Sequence, residues 1–278
     1  MIRRPRPPLD VALAATLHDP QGALRGEIEW ALPRLAALYR GVAVAASPTT
    51  SPRLRALLAE AGVAAPADGG DLRGPLYRRA IRAALAHDAG HVHYLDLDRA
   101  LHWQRRAPRE HAAVVRVARR FPVLVVGRTP AAHRAHHLPL FATEALVNRL
   151  MTARLGIAGR VDFLVPSFVL ARDAARALVA GSRARDAAIY GELAALVVGL
   201  APETAYVECR GLDWETPDRH RRAVRRLGLP AWRRRHETPA EWALRVRLAR
   251  DILVGFDRTL ARRERRPVTL RRLTERVG

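Results

Sequence analysis

The stretch Gly90-His91-Val92-His93-Tyr94-Leu95-Asp96-Leu97-Asp98-Arg99 decides how the chain is read. It has the form of a buried strand that ends in two acidic residues one position apart. In an extended chain, side chains alternate between faces. Asp96 and Asp98 are therefore expected on one side of the strand end, with Leu95 and Leu97 turned into packing. Two hard carboxylates on one side can share a divalent cation, whose shell is completed by water and substrate phosphates. The plainer reading is two solvated carboxylates, since Asp-x-Asp alone is a short motif.

Upstream, residues 10–17 and 41–46 are apolar runs that suit buried strands. Between them, Leu24, Ile28, Leu32, Leu35 and Leu38 have helical spacing over 24–39, and Pro33 predicts a kink or restart. Ser51-Pro52 predicts an N-cap and first turn for a helix at 53–61. After a loop at 65–74, residues 75–87 carry a helical stripe of Leu76, Ala80, Ile81, Ala84 and Leu85. This alternation predicts an α/β fold, a mostly parallel sheet flanked by helices.

Downstream, the pattern predicts a helix at 110–121, a buried strand at 122–127 and a loop at 128–140 holding His133, His136 and His137. A helix at 141–155 follows, then a strand-like run at 161–170 broken by Pro166. Helices at 171–180 and 184–200, a strand at 204–209 and a loop at 211–217 lead to a helix at 218–227. Thr238-Pro239-Ala240-Glu241 opens the last helix with a cap, a first-turn proline and an acid. Its Trp242, Val246, Ala249, Leu253, Phe256 and Leu260 suit packing on the body, with a homodimer seam as the sharper alternative. Residues 262–278 read as a basic tail. The division expected is a core at 1–215 and a C-terminal helical extension at 216–278 packed on it.

Composition bounds the function. The 278 residues are 49% hydrophobic and 27% charged, which suits a folded chain with a sizeable core. The net charge of +21 invites a nucleic-acid reading, but all 48 basic residues are Arg. That even use of one residue resembles a coding bias more than a built patch, so nucleic acid is not the expected partner. Arg also suits phosphate-bearing substrates, because its fork matches phosphate oxygens. Cys209 is the lone cysteine, which excludes an internal disulfide framework and a cysteine-rich zinc site. It reads as a small buried hydrophobe. Met1 to Pro8 is basic without the apolar core of a signal peptide, and no run approaches the ~20 apolar residues of a membrane span. A cytoplasmic protein with no transmembrane segment is expected, with at most a peripheral membrane contact.

The order strand, helix, strand, helix, then a strand ending in Tyr94-Leu95-Asp96-Leu97-Asp98, preceded by Gly74-Pro75-Leu76-Tyr77-Arg78-Arg79-Ala80-Ile81-Arg82, resembles the nucleotide-sugar glycosyltransferases of the GT-A fold. The likeness is to the family-two-like bacterial enzymes and covers about the first 215 residues. It implies a Rossmann-like GT-A core and transfer of a sugar from a nucleotide-diphosphate donor to an acceptor hydroxyl. It implies Mg²⁺ or Mn²⁺ on Asp96 and Asp98, bridging the two phosphates as a Lewis acid. In that family the loop after the first strand cradles nucleobase and ribose, which matches Leu17, His18, Asp19 and Pro20. The residues before the acid pair contact the diphosphate, which matches Asp71, Arg73, Arg78 and Arg79. The acceptor's proton goes to an acid opening a later helix, which matches Asp186 and, because Gly191 precedes it, Glu192. Retaining relatives instead take a further metal ligand from a late loop, a part open to His220. Arg99 departs from the family's usual pattern.

Plainer readings stand beside these: an Asp-Pro turn at Asp19, surface arginines, a solvated Glu192 and an exposed His220. Zinc on His133, His136 and His137 would call for a fourth partner, and none stands with them in the 128–140 loop. Trp103 and Trp214 could stack on a sugar or sit in the core. Two other functions compete. Nucleotidyl transfer would call for a Gly-rich basic loop after the first strand, which Leu17-His18-Asp19-Pro20 is not. A non-catalytic binding protein for nucleic acid or an anionic membrane surface is the other.

Overall fold

A computed structural model describes residues 7–66, 72–262 and 267–273. Among them lies a seven-stranded sheet: β1 Leu9–Leu17, β2 Tyr39–Ala46, β3 His91–Tyr94, β4 Val123–Arg128, β5 Phe168–Ala171, β6 Glu203–Cys209 and β7 Thr269–Arg272. The order across the sheet is β2-β1-β3-β5-β4-β6-β7. β1 pairs in parallel with β2 and β3, and β6 with β4 and β7. β5 pairs antiparallel with both β3 and β4, so six described strands run one way and β5 runs the other. The expected α/β class with a mostly parallel, helix-flanked sheet is what the chain adopts.

The helices are α1 Arg25–Leu38, α2 Pro52–Glu60, α3 Arg73–Leu85, α4 Leu97–Arg106, α5 Pro108–Ala118, α6 Pro130–Arg134, α7 Leu138–Arg154, α8 Arg172–Gly181, α9 Ala188–Val197, α10 Arg221–Leu227, α11 Leu229–Arg234 and α12 Pro239–Arg262. A short 3-10 turn, Thr216–His220, precedes α10. None of the described helices is long and apolar enough to cross a membrane.

The strand interiors explain the apolar runs. Val11, Ala12, Leu13, Ala14 and Ala15 have no solvent contact, as a strand covered on both faces requires. Their side chains feed two cores in alternation. Ala12 and Ala14 join Leu76, Tyr77, Ile81, Phe168 and Phe256 on one face. Val11, Leu13 and Ala15 join Ile28, Leu35, Leu101, Trp103 and Val207 on the other.

Several expectations are corrected. The strand of the opening stretch ends at Tyr94, and α4 begins at Leu97. Asp96 is the residue before the helix and Asp98 lies in its first turn. The local signal for this was an Asp followed by helix-forming residues. Leu95 and Leu97 are buried as expected. Pro33 sits inside one continuous α1. Ser51 occupies the N-cap position of α2 but makes no capping bond. The loop at 128–140 contains α6. The run at 161–170 contributes only β5, because its first part is irregular chain tied through Asp162 to Arg128 at the end of β4. The tail supplies β7, an edge strand on β6, while residues 263–266 and 274–278 lie outside the described residues.

Helix α12 packs on α9 and α7 through Ala249, Ile252, Leu253 and Phe256, so part of its apolar stripe belongs to the body. Val246 is exposed. The crossing with α9 is close enough to need glycine on both helices. A Cβ on Gly191 would overlap the Ile252 carbonyl, and one on Gly255 would overlap the Ala188 carbonyl. Backbone cannot yield as a flexible side chain can. Gly191→Val should lower unfolding free energy by about 1–3 kcal/mol or more, the usual cost of overpacking. Urea denaturation checks this, with Gly26→Val, which meets open space, as the comparison.

Candidate functional site

Ligands of open α/β sheets bind outside the carboxyl ends of the strands, where the strand order reverses direction. Here the chain leaves β1 for β2 on one side and returns to β3 on the other. A cleft of about 660 Å³ opens beyond those two strand ends. It is lined by the loop after β1 (Leu17, His18, Asp19, Pro20), by Arg73, Leu76 and Tyr77 of α3, and by Asp96 and Asp98. Tyr190, Arg219 and His220 close it. A smaller cavity of about 200 Å³ lies on the other side of Asp96. Arg73, Asp96 and Tyr190 line both spaces and form the seam between them.

Asp96 is held firmly. Its Oδ1 accepts from the Thr16 hydroxyl at 2.7 Å and the Tyr94 hydroxyl at 2.7 Å. Its Oδ2 lies 4.0 Å from the Arg99 guanidinium. Burial, and then the neighbouring Asp98 carboxylate, hold the Asp96 carboxyl above the usual carboxylate range. A neighbour that is already negative disfavours a second charge. Asp98 is bonded differently. Its Oδ1 accepts from the Arg99 backbone N–H, and its Oδ2 accepts from Arg219 at 2.8 Å. Arg219 also lies 3.3 Å from Asp19 Oδ1 and donates to the His18 carbonyl. One guanidinium therefore ties the loop after β1 to the start of α4.

The other expected residues fall into two groups. Arg73 is exposed at the seam, its guanidinium over the Tyr190 ring. Leu17 and His18 line the cleft, and His18 bonds the Ser47 hydroxyl through Nδ1. Asp19 is buried, its Oδ2 accepting from the Leu24 N–H, so it also shapes its own loop. His220 is at the rim, beside the Trp232 ring. Asp96, Asp98 and His220 do not converge, and no group of three His, Cys, Asp or Glu suited to a metal exists among the described residues.

The second group lies elsewhere. Arg79 is buried and donates to the Ala46 carbonyl, which ties α3 to the end of β2. Arg78 donates to Ser182 and the Ala184 carbonyl. Asp186 accepts from the Ala188 N–H at the start of α9. Glu192 is buried, with its two oxygens taken by the backbone N–H groups of Arg183 and Ala184. The glycine before it serves the α9–α12 crossing. Neither Asp186 nor Glu192 lines either space. Asp71 lies outside the described residues.

The three histidines of the 128–140 segment are buried and diverge. His136 bonds the helix carbonyls of Ala132 and His133, His133 faces Glu144, and His137 faces Glu241 and Trp214. Trp103 and Trp214 are core residues, Trp103 donating to Glu110. Cys209 is buried, and burial pushes its thiol up, as suits a small hydrophobe. The residues missed in the sequence are Arg219, Tyr77, Tyr190 and Glu215. No local signal marks Arg219 among 48 identical basic residues. Comparison with protein-family models and with curated proteins finds no match to this chain.

One clamp positions the loop that bears Glu215 and Arg219. His102 of α4 bonds Asp213 through Nε2 and Asp218 through Nδ1, both at 2.7 Å. Against desolvation, these two carboxylates raise the imidazole to about 9 and keep it protonated. The unfolded imidazole titrates near 6.5. The stabilisation is therefore complete below about pH 6.5 and is lost as pH rises through about 9. His102→Ala should cost about 3 kcal/mol at pH 6, the order for removing one partner of a buried charge pair, and much less at pH 10. Melting temperatures of both proteins across that range check the sign.

Proposed function

We propose that the chain is a GT-A-type glycosyltransferase that moves a sugar from a nucleotide-diphosphate donor to an acceptor hydroxyl. The observation that carries this reading is the seam: Asp96, Arg73 and Tyr190 stand between a cleft sized for a nucleotide and a smaller second cavity. A transferase needs two substrates to meet at one wall, and a strand-end cleft with a positive arm is where phosphates bind in such sheets.

In this reading His18 and the loop after β1 hold the nucleoside, and Tyr77 walls the cleft on the α3 side. Arg73 reaches the diphosphate. It lacks a carboxylate partner within ion-pair distance among the described residues, which leaves its fork for phosphate oxygens. The acid pair suits Mg²⁺ or Mn²⁺ by donor chemistry. Two hard carboxylates open on the cleft, and such ions take one or two carboxylates and fill the shell with phosphate and water. When bound, the ion supplies Lewis-acid neutralisation of the leaving diphosphate. Thr16 and Tyr94 keep the Asp96 carboxylate oriented. Arg219 occupies one oxygen of Asp98, so cation and guanidinium compete for it.

Isothermal titration with nucleoside diphosphates and their sugars, with and without Mn²⁺, tests the reading. At least one nucleotide should bind, and Mn²⁺ should tighten it. Asp98→Ala should remove the Mn²⁺ effect. Arg73→Ala should weaken the nucleotide by about tenfold or more, the worth of charge-assisted hydrogen bonds. If no nucleotide binds while oligonucleotides do, with a steep salt dependence, the proposal fails and the basic binding-protein reading replaces it. Arg219→Met should raise Mn²⁺ affinity of the nucleotide-free protein, read from the Mn²⁺ electron paramagnetic signal. Unchanged affinity would show that Asp98 does not hold the ion.

A further inference from the structure

The smaller cavity is a second built site. Its lining divides by element. Leu140 and Val147 of α7, Leu248, Ala249 and Ile252 of α12, and Leu164 and Pro166 of the crossing segment form apolar walls. Asp96, Arg99, Glu215 and Thr216 give it a polar end beside the seam. Arg99 is buried between two carboxylates, 4.0 Å from Asp96 and 3.4 Å from Glu215. Arg99 Nη1 and Glu215 Oε2 are buried yet make no hydrogen bond. Both side chains also line the cavity, so its polar end, a donor beside an acceptor, matches a group that both donates and accepts. A hydroxyl is the smallest group that does both.

The charges of the lining cancel. Arg73, Arg99 and Arg245 are matched in number by Asp96, Glu144 and Glu215, and Arg73 stands at the seam over the Tyr190 ring. Glu144 is already spent on Arg128, which overcomes its desolvation and holds its carboxyl at about 2, and Arg245 is spent on Glu241. No uncompensated cation is left at the apolar end to call for an anionic ligand. The size is also bounded: an apolar protein cavity of about 150 Å³ takes a benzene-sized molecule. At about 200 Å³ this cavity takes a group a little larger.

We propose that the cavity between α7, α12 and the seam binds a neutral alcohol with a compact apolar body, its hydroxyl at the polar end lined by Arg99, Glu215 and Thr216 beside Asp96. The assignment rests on the transferase reading for its meaning, since it makes this alcohol the acceptor class. The binding itself does not depend on that reading.

Ligand-detected NMR with 1-hexanol as the probe, and hexanoate as its charged counterpart, tests the site. Saturable binding of 1-hexanol is expected, with hexanoate at least tenfold weaker. Leu248→Trp, which fills the cavity from a half-buried position, should weaken 1-hexanol at least tenfold while nucleoside diphosphate affinity stays within twofold. Glu215→Gln should weaken 1-hexanol as well. Ala249→Leu is the second filling variant should the first melt early, with circular dichroism reporting the fold of both. Binding of 1-hexanol unmoved by both filling variants, or hexanoate preferred over the alcohol, would overturn the proposal. If 1-hexanol binds as expected and no nucleotide does, the cavity stands and the transferase reading falls.

Discussion

The ion pair between Arg128 and Asp162 holds the sheet's second half in place. Both side chains have no solvent contact. Asp162 Oδ2 accepts from the Arg128 backbone N–H and from its Nε at 2.7 Å, and Oδ1 accepts from its Nη2. Asn148 and the Leu164 N–H complete the carboxylate's shell. Arg128 in turn overcomes desolvation and keeps the carboxyl far below its usual range. A buried charge pair pays a large desolvation cost, which only such complete hydrogen bonding offsets. Arg128 is the last residue of β4, so the pair pins the irregular 161–167 segment across the end of that strand. The chain can then enter β5 antiparallel between β3 and β4, and Leu164 and Pro166 become a wall of the smaller cavity.

The same economy of arginines governs the site. Arg99 and Arg219 each stand between carboxylates from distant parts of the chain: Asp96 and Glu215 for one, Asp98 and Asp19 for the other. A chain without lysine uses the planar guanidinium, which can serve two acceptors at once. Arginines such as Arg99, Arg128 and Arg219 need not signal a polyanion partner, because they serve as structural counterions. Arg73 differs in facing both spaces with an aromatic ring as its company.

Much of the sheet was legible. Runs such as Val11 to Ala15 and Val123 to Val126 are continuous and apolar because strands covered on both faces admit little else. The stripe Leu76, Ala80, Ile81, Ala84 predicted α3, and Thr238 does accept from the Glu241 N–H at the start of α12. Less could be read where two periods fit the same residues. The pattern reads as strand from His91 to Leu97, yet the strand stops at Tyr94 and a helix begins at Leu97. The acid pair kept its place at a strand end, but its geometry came from a helix start. Asp19, Asp96, Asp98 and Arg73 were named from the sequence and do line the cleft. Glu192 and Arg79 were named with equal reason and serve the backbone instead.

Apolar periodicity and turn residues, which act between near neighbours, determined the α/β class, most strand and helix positions and the strand end that bears the acids. Tertiary structure decided the reversed β5, the edge strand β7 and the Gly191–Gly255 crossing. It also decided which arginine meets which carboxylate, since Arg219 reaches Asp98 across 121 residues of chain. Those choices rest on charge pairing and close backbone approach between distant segments. No local window records that kind of contact, so the site's residue types were visible in the sequence while their partners were not.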